Sequence, residues 1–421
     1  MDLLARIRDE MAFEANVKKS YLYRFLMELQ LWLPIWVIYL RDQRGFSLTQ
    51  INLLDTPFFL LIVLAEVPTG AVADRFGRKT SLMLGSGFFA IAVFVFGIAD
   101  NYAIILVSYV AWGLALTFQS GADSALLFDS LKQAGREDDF QRVTSRLWAL
   151  RSVAALVAIL IGAPIAEATS FTFVISLSAV IALCALPVAF FMHEPRHTLE
   201  AQPEAYFQTL FTGMRDAWKT PTLRYIILFS GIVSMGAFAP MVFEQPFLDE
   251  HGISVGNLGL WQAPVRGAGI ATALLTGWFI SRLGERGAFF AMPVLLGIAG
   301  LALAGIDRSW IFMAFLGMGA VAGMQNPVLA RYVNLRIPSE RRATMLSVQS
   351  VAASIALSCQ PVGGFIADTW GLQAAFLMYA ILTLVGGLGV LLLWDRAERR
   401  DVARGETGDG LHERRSEAVP V

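Results

Sequence analysis

The 421-residue sequence has two cysteines, four histidines and few charges, and each scarcity excludes something. Cys184 and Cys359 both lie in apolar runs, so there is no disulfide framework and no metal-ligand spacing. His193 and His197 share one polar stretch, while His251 and His412 stand apart, and no metal site is expected. A glycine-rich phosphate loop is missing, so ATP-driven transport is not supported, and without a Gly-x-Ser-x-Gly turn an intramembrane enzyme is only a remote alternative. We therefore expect no enzyme activity and no cofactor. Charged residues make up 16% of the chain, against about 25% in soluble proteins, and the net charge is −1. That balance excludes a disordered chain and a broad basic face for nucleic acid. What is present in excess is apolar, with 56% hydrophobic residues and a mean hydropathy of +0.58. One soluble core of this length cannot hide so much, so the solvent for most of the chain is lipid.

A membrane-crossing helix needs about 20 mostly apolar residues to cover about 30 Å of hydrocarbon. Twelve stretches meet this requirement: 20–40, 48–73, 80–99, 102–128, 147–167, 171–192, 223–247, 256–280, 287–305, 309–335, 343–367 and 372–394. They are numbered here as spans 1 to 12. Strand-like alternation of span length is absent, which argues against a β-barrel. The chain then divides into a charged cytoplasmic lead-in (1–19), a six-helix half (20–192), a polar cytoplasmic linker (193–221), a second six-helix half (222–394) and a charged tail read as disordered (395–421). Only Arg41, Arg44 and Arg308 fall in loops on one side, so Lys and Arg crowd the other. The positive-inside rule makes that crowded side cytoplasmic, both termini included. Short connections suit a multi-pass protein of a bacterial inner membrane.

The two halves repeat. Gly45-Phe46-Ser47 matches Gly252-Ile253-Ser254, and Thr69-Gly70 with Arg75-x-Gly77 matches Thr276-Gly277 with Arg282-x-Gly284, all at an offset of 207. Ser152-Val-Ala-Ala155 matches Ser350-Val-Ala-Ala353, and Ile165-Ala-Glu167 matches Ile366-Ala-Asp368, at offsets of 198 and 201. A parallel six-plus-six repeat is an architecture in which two halves rock about a central site. The loop after span 2, Gly70-Ala-Val-Ala-Asp74-Arg75-Phe-Gly77-Arg78-Lys79, resembles the signature of the major facilitator superfamily, Gly-x-x-x-Asp-Arg-x-Gly-Arg-Arg/Lys. A partial copy, Gly277 to Arg286, follows span 8. The resemblance implies an all-α membrane protein with twelve transmembrane helices in two six-helix pseudo-repeats, working as a secondary transporter by alternating access. It further implies that Gly70, Asp74, Arg75, Gly77, Arg78 and Lys79 latch the cytoplasmic side. Gly70 would let a partner helix approach, Gly77 would permit the turn, and Asp74 would face the start of span 11 at Ser339 and Glu340.

Ionisable residues inside spans are costly and mark candidate function. Asp123 and Asp129 in span 4 and Arg146 and Arg151 in span 5 stand at matching depths, because six and five residues rise about 9 and about 7.5 Å. Stacked pairs Asp129–Arg146 and Asp123–Arg151 are one reading, and Asp129 with Arg78 another. Glu28 in span 1 shares a helical face with Trp32, Trp36 and Tyr39, an aromatic stripe above an acid that suits a cationic substrate. Packing of that stripe, with Glu28 paired to a buried arginine, is the alternative. Glu66 lies on one face with Gly70 and Asp74 and reads as a seam carboxyl. Glu28, Glu66 and Asp123 are thus the proton-coupling candidates. Asp55 and Glu244 are read as outer-gate residues, with Asp55 facing Arg266. Arg266, Gln325, Asn326 and Arg331 join the cavity candidates, while Glu167 and Asp368 at outer helix ends are read as solvated.

The expected partners are a small-molecule substrate, protons and the bilayer, with no nucleic acid, and the working unit is a monomer. Gly162-Ala163-Pro164-Ile165-Ala166-Glu167 partly resembles the Gly-Pro-x-x-Gly-Gly pattern of exporters in the superfamily but lacks its final glycines. Proton-coupled export of small hydrophobic or cationic compounds is the leading expectation. Proton symport of a nutrient or metabolite is the alternative, and a non-transporting receptor or scaffold the remote one.

Overall fold

Several helix starts are set by short polar caps. Ser47 and Gln50 close a reciprocal capping box at the head of span 2, Leu48–Phe76, with backbone-to-side-chain bonds of 3.0 and 3.2 Å. Asn101 caps the helix Tyr102–Gln119 and Ser170 caps Phe171–Leu183. Pro221 occupies the first turn of Pro221–Phe238, where its missing N–H costs nothing. The computed structural model describes residues 3–195, 212, 214–215, 218–337 and 339–403, which are mostly helical with no strand among them.

Ten helices among the described residues are long and apolar enough to cross a membrane. The longest, Val255–Gly305, is interrupted at Gly284, whose φ of 70° only glycine adopts easily, and so accounts for spans 8 and 9. Span 1 is not among the ten because it is broken. Its helix runs Leu3–Glu28, loses regular helix at residues 29–35 and resumes in a short turn and a π-helical stretch, Tyr39–Gln43. The lead-in described from residue 3 is therefore the first part of the same helix as span 1. The last helix, Leu388–Ala403, runs past 394, so residues 395–403 of the expected disordered tail are helical. Most of the linker, and the tail beyond 403, lie outside the described residues.

The repeat is visible in backbone geometry. Gly45 and Gly252 have φ of 69° and 72°, and Gly77 and Gly284 have φ of 97° and 70°, each pair at the offset of 207. Matching turns at matched places mean that each half enters and leaves its second crossing in the same way. The end of the bundle holding the start of span 1 and the end of span 12 is called the basal face here, and the opposite end the distal face.

Candidate functional site

On the basal side of the first half, spans 1, 4 and 5 enclose a cleft lined by Ser20, Arg24, Asp123, Thr144, Trp148 and Arg151, among others. Arg24, buried at 8% exposure, pairs with Asp123 through Nη2 and donates from Nη1 to Gln119 Oε1 at 3.2 Å. One helical turn further along span 1, Glu28 accepts from Arg151 Nε at 2.7 Å. Two acids are thus matched by two arginines, each pair bridging two helices. Charge pairing offsets the cost of holding either ion away from water. The Arg151 guanidinium also lies 5.1 Å from the Trp148 ring centre, and that ring is 62% exposed.

These pairings correct one expectation and decide between the two readings of another. Asp123 takes Arg24 instead of Arg151, and Asp129 takes Arg78 instead of Arg146, which is exposed without an ion pair among the described residues. Arg78, the alternative partner for Asp129, also donates to the carbonyl of Ala125 at 2.8 Å. Rise per residue fixes depth along neighbouring spans but says nothing about which way a helix face turns. Arg24 has no place among the residues expected from sequence. The available signal is an arginine four residues before Glu28, on the same helical face.

The aromatic stripe is also corrected. Trp32 is 2% exposed and packs its ring 5.3 Å from Trp112 and 5.4 Å from Phe96. Tyr39 is fully buried and donates to Gly97 O at 2.7 Å. Both belong to the core of the first half, while Trp36 is half-buried against Tyr109. The break at 29–35 separates Glu28 from the stripe, so the four residues do not share a helical face. Glu66 is exposed and is not the buried seam carboxyl expected. Gly70 has open space where a Cβ would be, so no helix approaches it closely here. In the second half, Gln325 is buried and donates to Ser234 Oγ at 2.6 Å, whereas Asn326 and Arg331 are exposed on span 10.

Around the loop after span 2, Arg78 and Lys79 donate backbone N–H groups to Glu194, each at 2.7 Å. That carboxylate caps span 3, a task Gly77 cannot perform. Lys79 lies 4.8 Å from the Phe190 ring, and Arg75 is exposed over Phe76. Nearby, partial burial and the charge of Lys79 hold the Lys19 ammonium below its usual range. Asp74 is half-buried, and the side chains of Ser339 and Glu340, its expected counterpart, lie outside the described residues.

The distal side joins the halves. Asp368 at the end of span 11 accepts from Leu48 N at 2.9 Å, Thr49 N at 2.8 Å and Thr49 Oγ1 at 2.5 Å, capping span 2 of the other half. It is not merely solvated, contrary to expectation. Gly364 makes the approach possible, since a Cβ there would meet Leu48 O at 2.6 Å. The repeat mate of Asp368, Glu167, lies against Gly256 at the head of span 8. Gln360 donates to Asp55 at 2.7 Å, and Thr56 to Ser358 O at 2.8 Å. Asp55 does not meet Arg266, which instead stands 3.4 Å from the buried Glu244 within its own half. Arg41 pairs with Asp249 across the same face. The broken part of span 1 is also tied to the other half. Gln245 donates to Leu33 O at 3.0 Å and accepts from Val37 N at 2.9 Å, and Gln262 donates to Pro34 O at 3.0 Å. Backbone groups freed by a broken membrane helix require such partners. All of these contacts between the halves lie toward the distal side.

A sequence model described as Major Facilitator Superfamily matches residues 22–358 and 249–419. The chain belongs to that superfamily. Its fold is therefore the helical membrane architecture of that superfamily, and the protein is a multi-pass secondary transporter and not an enzyme. It is 24% identical over 387 residues to the multidrug efflux pump Tap of Mycobacterium tuberculosis, covering 86% of this chain and 90% of Tap. It is 21% identical over 436 residues to a Na(+), Li(+), K(+)/H(+) antiporter of Planococcus maritimus, covering 92% and 98%. The crystal structure of the nucleoside transporter NupG superposes with a TM-score of 0.74 at 13% identity, over 90% of this chain and 98% of NupG, a likeness of fold alone.

Proposed function

We propose that this transporter exports small hydrophobic or cationic compounds in exchange for protons, with the basal face and both termini in the cytoplasm of a bacterial cell. The observation that carries the reading is the coupled set Arg24–Asp123 and Glu28–Arg151 between spans 1, 4 and 5. A proton arriving on either carboxylate neutralises it and releases its arginine, so proton binding and substrate binding draw on the same groups. Competition of that kind converts a proton gradient into exchange. The side that carries most Lys and Arg is the basal one, which supports its placement in the cytoplasm. The distal contacts then hold the outer side shut while the cleft faces inward, one of the two states that alternating access requires. The names of Tap and the Planococcus antiporter favour efflux and proton exchange over uptake.

Purified protein in liposomes with an imposed pH gradient tests the proposal. Substrate should move against the direction of proton flow and stop when the gradient is collapsed. Movement in the same direction as protons would establish symport in its place. Binding without movement in either direction would favour a receptor built on this fold.

A further inference from the structure

The cleft between spans 1, 4 and 5 contains more donor capacity than its own residues use. Arg24 is more than nine-tenths buried, yet its Nε–H has no partner among the described residues. Its two other nitrogens are committed, Nη2 to Asp123 and Nη1 to Gln119. The Thr144 hydroxyl, also buried in the cleft lining, lacks a partner too. Leaving such groups unmade costs about 1–3 kcal/mol each, which a chain retains where something else completes them. The remaining Nε–H can donate one charge-assisted hydrogen bond to a carboxylate or another oxyanion, since Nη2 beside it is held by Asp123.

The charges of the cleft sharpen the requirement. Two carboxylates and two arginines already balance, so a simple cation entering would have to displace an arginine and leave it buried without a counter-ion. A compound carrying both charges can exchange partners with the pairs and keep the balance. Trp148 adds a largely exposed indole beside Arg151, a flat face on which an aromatic body can stack. We infer that this cleft is a binding site for aromatic zwitterions, taking the anionic end on Arg24 and the cationic end at Asp123. The inference rests on the export reading for its physiological meaning, and it narrows the cationic substrate class to cations that also bear an anion.

The test is binding of three matched probes to the full chain in lipid nanodiscs by titration calorimetry, with no gradient present. 4-(Aminomethyl)benzoic acid is the zwitterion, its methyl ester the cation and its N-acetyl derivative the anion. The zwitterion should bind at least about tenfold tighter than either relative. Arg24→Lys keeps the charge but removes the free Nε–H, and the ratio of zwitterion to ester affinity should fall to about one. Thr144→Val, which leaves both ion pairs in place, should weaken the zwitterion more than the ester, and Trp148→Ala should weaken all three alike. An ester that binds as tightly as the zwitterion to the unaltered protein would overturn the inference. So would an Arg24→Lys variant that loses thermal stability yet keeps the ratio, since that is the mark of a purely structural arginine. If the zwitterion ranks first in binding but no probe moves under a pH gradient, the export reading fails while the site stands.

Discussion

Glu285 and Arg336 form an ion pair of 2.7 Å, and at the matched positions of the first half Arg78 and Asp129 form the same pair with the signs exchanged. Positions 78 and 285, and 129 and 336, each differ by the repeat offset of 207. Each pair fastens the loop after the second span of its half to the fourth. The repeat thus keeps a contact while reversing its charges. Arg336 additionally reaches Glu398 at 3.0 Å, whereas the second contact of Arg78 is the carbonyl of Ala125.

That asymmetry sets the cost of breaking each pair. Asp129→Asn should destabilise the first half by about 1–3 kcal/mol, between the values for exposed and buried pairs. Glu285→Gln should cost less, because Arg336 keeps the carboxylate of Glu398. Thermal unfolding of the two variants in detergent checks the ranking, and an equal or reversed order would contradict it.

The distal clamp yields a conformational prediction. Removing a helix cap costs about 0.5–2 kcal/mol, and here that loss falls only on the state in which spans 2 and 11 touch. Asp368→Ala should therefore move the population toward a state open at the distal face by roughly 2- to 30-fold. Spin labels at Leu53 and Phe365, both exposed beside this contact, should report an added longer distance in the variant. Cys184 and Cys359 are exposed and must first be replaced. An unchanged distance distribution would show that the cap does not bias the two states.

Gln245 offers a separate measurement. Its amide satisfies Leu33 O and Val37 N at the break in span 1, groups with no helical partner of their own there. Gln245→Ala should leave them unpaired and lower stability by about 1–3 kcal/mol. Hydrogen exchange at residues 33–38 should accelerate more than exchange in span 3, which a general loosening of the fold would not produce.

Proton coupling is tested most directly on the two acids. Glu28→Gln and Asp123→Asn remove the titrating group and keep its shape. Both should abolish substrate movement driven by a pH gradient and, because substrate and proton draw on the same carboxylates, should weaken but not abolish substrate exchange at equal pH on the two sides. Gradient-driven movement that survives in both variants would exclude these residues as the proton carriers.

Much of the fold is readable from apolar length and from the offset near 207, because lipid imposes span length and a duplicated turn needs the same glycine twice. The site is less readable. Asp123 and Arg151 lie on spans adjacent in sequence, which suggests pairing, but Arg24 and Glu28 of span 1 take up one each. Such triangulation depends on how three helices are rotated, and no periodicity within one helix contains it. Asp368 is visible in sequence only as the mate of Glu167, and its capping role needs the other half brought against it.

Trp32 shows how the break in span 1 changes an expectation into a different experiment. A continuous helix would have placed it one turn from Glu28, facing substrate. In the structure it is enclosed by Phe96 and Trp112, with its indole N–H unpartnered in the core. Trp32→Ala should then lower stability by about 3–5 kcal/mol, the usual cost of deleting a buried aromatic ring. Trp32→Phe preserves most of the volume, removes the unpaired donor, and should cost far less. If both variants fold with unchanged melting temperature while substrate affinity drops about tenfold, Trp32 belongs to the binding site and not to the core.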